Sequence, residues 1–451
     1  MFGNLLFVKI TNPQIYTTGS KVQGLVQLIV SNKLDVEAVE VELLGFAESK
    51  NYIYINGVYI PKQESHNLLQ ITKRVFPPPD VQGSYTLTSG VYHYSFEFSF
   101  PGRDHVAQCV KHKRIFHSKN HLPNKGRSHA TLAGSFFHEI KRDDYCSAQY
   151  SVEASATVLS VVKLVMKHSA PVYFAPKNSE IFFSLSDLCN SSKKTLLPDE
   201  NHACEYLNYS IDGIVKESKS ILRKLIPSNT VKVPFELNVR FKEVTPIETV
   251  KGTTNRVLQA GSKLSRFVDL DLSTPFSHKD ILFALPWKEV HKKGTITPLH
   301  IRFTFIKVAL VSTVTYRGST ASIATSSVSL RRQPLDLEVN LDAFEEVECH
   351  SSKKVPSKHT DKRVCFRHSL DPSLWDCNVK DIGQTFMLCN IQKVAHLCVC
   401  LTIAFSDNPT NEIEIKNNSP IVFHRQEGPD SSLCSQLKHL PHYMPAPDGL
   451  G

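Results

Sequence analysis

Between Gly90 and Pro101 an aromatic side chain falls at every second position: Tyr92, Tyr94, Phe96, Phe98 and Phe100. Five large apolar groups at a period of two share one face of an extended strand, and no helix gathers them on one side. A five-aromatic stripe at strand spacing reads as part of a sandwich core, with a binding strip as the alternative. The same alternation recurs in Leu5–Ile10, Lys21–Val30 and Val36–Phe46, where Val39, Val41 and Leu43 interleave with Glu40 and Glu42. One face of each strand meets a core and the other meets water, as in antiparallel sheets.

Turn residues punctuate these runs at Asn12-Pro13, Thr18-Gly19 and Pro77-Pro78-Pro79-Asp80. Asn51–Ile60 and Tyr150–Val165 continue the strand pattern, and Pro171–Pro176 reads as the closing edge of a first domain over residues 1–176. A second strand-rich region, residues 231–426, alternates clearly in Phe235–Phe241, Phe267–Leu272, Leu299–Val311 and His396–Phe405. Within it, Ala343–Lys362 is charged and reads as a loop. The expected fold class is all-β: two immunoglobulin-like β-sandwich domains joined by a linker over residues 177–230.

The linker reads as polar and irregular except over residues 211–226. There a 100° step places Ile211, Ile214, Val215, Ile221, Leu222, Leu225 and Ile226 on one face, with Lys216, Lys219, Arg223 and Lys224 opposite. Ser210 is placed to cap this helix and Pro227 to stop it. A basic amphipathic helix packs on a neighbouring domain or lies on an acidic bilayer, and both readings stand.

Residues 103–129 collect Arg103, Lys111, Lys113, Arg114, Lys119, Lys125 and Arg127 with almost no acid. This is an exposed basic loop, read as a solvated insertion, with a phosphate- or lipid-recognising surface as the alternative. The chain's formal net charge of +9 is consistent with acidic partners. Among Phe, Tyr and Trp the basic loop holds Phe116 alone, no series of stacking aromatics interleaves with its charges and no recognition motif appears, so nucleic acid is not an expected partner.

No apolar run approaches the length of a membrane span and the first residues lack a secretory pattern, so the chain is expected to be cytoplasmic. Eleven cysteines without a compact repeat suit reduced thiols better than a disulfide framework. The sequons at Asn190, Asn208 and Asn417 then read as chance matches. Enzyme motifs are absent: no Gly-x-Ser-x-Gly, no phosphate-binding glycine loop and no His-Glu-x-x-His. Cys389, His396, Cys398 and Cys400 are the tightest set of metal-ligating types. Cys398 and Cys400 sit two apart on a strand, however, and not on a turn, so they read as buried thiols, with neither metal nor cofactor expected.

The last residues, 427–451, are proline-containing and aperiodic. They hold Leu440-Pro441-His442-Tyr443 followed by Met444-Pro445-Ala446-Pro447, a run inclined to polyproline II geometry. Such a peptide suits a WW-domain groove, where Leu440, Pro441 and Tyr443 supply the contacts. A solvated tail is the plain alternative.

Taken in order, these segments resemble the arrestin-related trafficking adaptors, the fungal branch of the α-arrestins. The resemblance rests on Tyr16-Thr-Thr-Gly19-Ser-Lys-Val22-Gln-Gly24-Leu-Val26, Leu44-Gly45-Phe46, Arg74-Val75-Phe76-Pro77-Pro78, the aromatic stripe, and Ile296-Thr297-Pro298-Leu299 in the second half. A family motif, Leu-Pro-Pro-Ser-Phe, is reduced here to Leu122-Pro123 with Ser135-Phe136 beyond it, and there is no Pro-Pro-x-Tyr. The resemblance implies two arrestin-type sandwiches, binding to plasma-membrane transporters or receptors, and recruitment of a HECT-type ubiquitin ligase with WW domains. The chain is expected to be recruited peripherally to the plasma membrane or endosomes, and the charge of the basic loop and of the helix makes Lys111, Lys113, Arg114, Lys216, Lys219, Arg223 and Lys224 candidate contacts to an anionic membrane surface. The alternatives are a sorting scaffold of the same fold without a ligase and, from the enzyme class, a hydrolase or metal enzyme built on the cysteine cluster or the histidine-rich loop.

Overall fold

The computed structural model describes residues 4–78, 81, 83–101, 132–141, 144–159, 163–176, 205–210, 230–242, 256–283, 299–317, 321–349, 363–388, 390–405 and 408–424. The first half contains β1 (Leu5–Ile10), β2 (Ile15–Tyr16), β3 (Lys21–Val30), β4 (Leu34–Ile55), β5 (Val58–Phe76), β6 (Tyr85–Leu87) and β7 (Gly90–Ser99). It continues with β8 (Phe136–Lys141), β9 (Asp144–Leu159) and β10 (Leu164–Phe174). The second half holds β11 (Glu205–Ser210), β12 (Thr230–Phe241), β13 (Val257–Gln259), β14 (Val268–Thr274), β15 (His300–Arg317) and β16 (Ala321–Asn340). After these come β17 (Glu345–Cys349), β18 (Arg363–Ser369), β19 (Phe386–Met387), β20 (Ile391–Phe405) and β21 (Asn408–His424). Two short helices, His278–Phe283 and Pro372–Trp375, are the α-helices among the described residues. The all-β expectation is met.

In the first half, a three-stranded sheet of order β1-β3-β7 faces a seven-stranded sheet of order β2-β10-β9-β4-β5, to which β6 and β8 add. The aromatic stripe explains the face-to-face packing. Phe96, Phe98 and Phe100 are buried, Tyr92 and Tyr94 pack half-buried against the same core, and Val39, Val41 and Leu43 answer from β4. Phe100 stacks on Phe174 with ring centroids 4.5 Å apart and meets Tyr150 edge-on at 5.7 Å. The core reading of the stripe is met, on a strand that forms one edge of the three-stranded sheet.

The second half repeats the plan. Sheet β11-β12-β14-β18-β17 covers sheet β13-β21-β20-β15-β16, with Phe235, Phe303, Phe405, Phe423 and Trp375 fully buried between them. Asn417 is buried here and donates from Nδ2 to the Leu237 carbonyl at 2.9 Å, so that sequon offers no surface amide, in keeping with a chance match.

Four local expectations are corrected. The stretch read as one strand over Tyr150–Val165 ends β9 at Leu159 and begins β10 at Leu164, because the two strands fold back as an antiparallel pair. The segment over 177–230 contains the strand β11, which pairs with β12 from Glu205↔Phe235 to Ser210↔Thr230; a short polar strand gives little periodicity to read. The charged stretch after Ala343 begins as strand β17, which among the described residues pairs only with β18, and Glu345, Glu346 and Glu348 suit its solvent-facing position. Cys365 is disulfide-bonded, against the expectation of reduced thiols throughout, whereas Cys146, Cys377, Cys398 and Cys400 are free.

Candidate functional site

The residues singled out from sequence as contacts lie outside the described residues. These are Lys111, Lys113 and Arg114, the stretch expected as a helix over residues 211–226 with Lys216, Lys219, Arg223 and Lys224, and Leu440, Pro441 and Tyr443. What the structure does describe is the scaffold that carries them, and two features of it bear on function.

The first is the seam between the sandwiches. The far ends of β15 and β20 leave the second core and enter the first: Val314, Tyr316, Phe386, Leu388 and Ile391 are buried in the same cluster as Leu43, Ala47 and Cys146. Phe136 on β8 meets Phe386 on β19 at 4.6 Å between ring centroids. Polar contacts frame this apolar patch. Tyr316 donates from Oη to Asp144 Oδ1 at 2.6 Å. Asn390 donates from Nδ2 to the Ala47 carbonyl at 3.2 Å and to Ser49 Oγ at 3.1 Å, and Asn51 donates to Ser322 Oγ at 3.0 Å. Burial and the adjacent Asp144 carboxylate hold the Tyr316 phenol well above its usual range, so it stays a donor at every physiological pH. Burial likewise pushes the Cys146 thiol up to about 12. The seam is thus held by neutral donors around a greasy centre.

The second feature is the β4–β5 hairpin. Strand β9 accompanies β4 from Asp35 to Lys50, where Lys50 lies opposite Tyr145, and goes no further. Beyond that point β4 and β5 continue as a two-stranded ribbon from Asn51↔Lys62 to Ile55↔Val58. Five residues per strand at about 3.3 Å each carry it roughly 17 Å past the sheet. Asn56 and Gly57, with φ of 50° and 85°, close it with the Asn-Gly turn that left-handed backbone requires. Tyr54 and Tyr59 face each other across the ribbon, rings 4.9 Å apart, and both are more than 60% exposed. Ile55, Val58 and Ile60 are also exposed. The alternation Tyr52-Ile53-Tyr54-Ile55 reads as buried strand, and nothing in it foretells that the far end stands in solvent.

Where the sequence set the metal question, Cys398 and Cys400 both lie on β20. Burial pushes Cys398 up to about 12, and burial with the neighbouring Glu414 carboxylate pushes Cys400 up to about 11. Such thiols stay protonated and are poor metal ligands at neutral pH. Cys389 lies outside the described residues, and among those described no three His, Cys, Asp or Glu side chains converge as a metal-binding group.

A buried carboxylate was missed by sequence reasoning. Asp271 on β14 is fully buried and is clasped by Arg240, whose Nε meets Oδ2 and whose Nη2 donates to Oδ1 at 3.0 Å; Ser369 Oγ adds a bond at 2.9 Å. The clue in the sequence is that Val268-Asp-Leu-Asp-Leu places an acid on a strand covered on both faces. The cluster ties β12, β14 and β18 together, and its chemistry is structural.

Compared with known proteins, the chain is similar to curated fungal sequences. It is 30% identical over 142 residues to "Arrestin-related trafficking adapter 10" of Saccharomyces cerevisiae, a match covering 28% of this chain and 26% of the relative. The protein of the same name from Candida glabrata is 28% identical over 142 residues, covering 28% of this chain and 27% of the relative. The matched stretch thus spans about a quarter of the length of these relatives. No family model matches the chain. No described helix is long and apolar enough to cross a membrane.

Proposed function

Taking as premise that similarity to these relatives and the paired sandwich fold support the arrestin-related adaptor family for this chain, we propose that it is a non-catalytic adaptor for membrane-protein traffic. In this reading its sandwiches bind cytosolic parts of plasma-membrane transporters or receptors. Leu440-Pro441-His442-Tyr443 engages a WW domain of a HECT-type ubiquitin ligase, and the cargo is ubiquitinated and internalised. The protein works in the cytoplasm and is drawn peripherally to plasma membrane or endosomes, with the basic residues Lys111, Lys113 and Arg114 and the helix over 211–226 as further contacts to acidic surfaces.

The observation that carries this is the coincidence of two features: a scaffold with two cores and an intimate seam, and a tail holding a WW-type motif. Physically the mechanism is bivalency. A weak cargo contact and a weak ligase contact reinforce each other because tethering raises the local concentration of ligase at the cargo. Neither contact has to be tight.

The test is cargo ubiquitination in cells carrying Tyr443→Ala. Loss of ubiquitination with normal abundance of the adaptor is the expected result; unchanged ubiquitination rejects the ligase-recruiting role. The missing Pro-Pro-x-Tyr favours one second reading, a sorting scaffold of the same fold that does not contact a ligase. Its signature is stable association with coat proteins that ignores the tail.

A further inference from the structure

The projecting ribbon is unusual in what it lacks. From Asn51 to Pro61 there is no charged residue, and the run is bounded on both strands by lysine, Lys50 and Lys62. Behind that collar lie Glu48, half-buried, and Glu64, held 2.5 Å from His66, while Asp144, level with Asn51 at the foot of the ribbon, accepts from Tyr316 in the seam. An exposed cap of Tyr54, Tyr59, Ile55, Val58 and Ile60 therefore sits ahead of a ring of positive charge. A bilayer matches that order of chemistry along one axis, since apolar interface, then headgroup, then water follow one another over a similar distance.

We propose that the tip of the β4–β5 ribbon is a shallow insertion element that seats on anionic lipid surfaces. Tyrosine favours the headgroup level, where the ring is desolvated and the hydroxyl stays wet. Tyr54 and Tyr59 occupy one face of the ribbon and Ile55 and Val58 the other, so either face presents apolar surface as the tip enters. Lys50, whose Nζ lies 5.5 Å over the Tyr52 ring, and Lys62 then stand at the depth of lipid phosphates and carboxylates. Depth is limited by the backbone. Among the described residues the projecting strands pair only with each other, so their outer N–H and C=O groups need water or headgroups, and the hydrocarbon centre is closed to them. The element touches the membrane and does not span it.

This goes beyond the adaptor reading and is independent of ligase recruitment. The test uses the full chain with vesicles of phosphatidylcholine containing roughly one third phosphatidylserine, read by co-sedimentation. The intact chain is expected to bind. Tyr54→Ser combined with Tyr59→Ser is expected to weaken binding by at least about tenfold. Lys50→Gln combined with Lys62→Gln is expected to weaken it roughly ten- to thirtyfold on anionic vesicles while leaving residual binding to neutral ones unchanged. These tip residues, apart from a half-buried Lys50, are exposed, and circular dichroism establishes that the variants remain folded. In a Tyr59→Trp variant the added emission is expected to shift to the blue with vesicles and to be quenched by lipid brominated near the headgroup. No vesicle binding by the intact chain, unchanged binding in the double tyrosine variant, or quenching absent at the Tyr59→Trp site overturns the proposal, the tip then being a protein-docking element. Tyr443→Ala is expected to bind vesicles like the intact chain, so failure here is distinguishable from failure of the ligase contact.

Discussion

Gly24 shows how a single missing side chain sets the packing of a whole sheet. A Cβ there would sit 2.5 Å from the Lys9 carbonyl oxygen and 2.4 Å from Phe96 Cζ, and the first of these is backbone that cannot turn aside. Gly24→Ala is expected to destabilise the first sandwich by about 1–3 kcal/mol, seen as a fall of several degrees in thermal unfolding. His424 makes the residue-scale case for acid sensitivity. It is buried, its Nε2 has no hydrogen-bond partner among the described residues, and burial pushes it down from its usual 6.5 to about 4. The unfolded chain therefore binds a proton that the folded chain refuses. Stability is full above pH 6.5 and falls as pH drops toward 4, by roughly 2–3 kcal/mol from this group. Urea titrations across that window are expected to show the slope, and His424→Gln to flatten it. The sequence names Gly24 only within the stretch Tyr16–Val26 and not for its packing, and the proton-refusing environment of His424 exists only once β21 is covered.

At the scale of elements, alternation identifies strands wherever one face is buried and the other wet. It succeeds for β1, β3 and β7, whose bounds follow the pattern closely. It fails where the pattern has no burial behind it. Tyr52 to Ile60 reads like a core strand, yet Tyr54, Ile55, Val58, Tyr59 and Ile60 are exposed because β9 stops opposite Lys50. It fails again between Leu159 and Leu164, since Ser160-Val-Val-Lys163 carries no glycine, proline or asparagine to announce the end of β9. The ribbon's exposure has a dynamic consequence, because an unaccompanied two-stranded hairpin is only marginally stable. Backbone amides of residues 52–60 are expected to exchange with deuterium at least about a hundredfold faster than those of residues 39–47, which lie between two neighbouring strands. Equal protection along β4 contradicts the ribbon as described.

Across the whole molecule, the two cores are coupled by the seam, and no local pattern in the sequence reports it. Val314, Tyr316 and Ile391 look like ordinary members of the second sandwich and pack with the first. The intact chain is therefore expected to unfold in a single calorimetric transition. Tyr316→Phe with Asn390→Ala removes the donors to Asp144, Ala47 and Ser49, at about 1–3 kcal/mol each, and is expected to resolve two transitions. The motifs proposed as contacts, Leu440-Pro441-His442-Tyr443 among them, lie outside the described residues and rest on the sequence alone. The proposed function needs both a coupled pair of sandwiches and a short peptide that binds a ligase. The most direct measurement is capture of a purified WW-domain HECT ligase by the full chain, beside the same chain carrying Tyr443→Ala. Capture by the intact protein and its loss in the variant is the predicted result; no capture by either, or equal capture by both, contradicts the account.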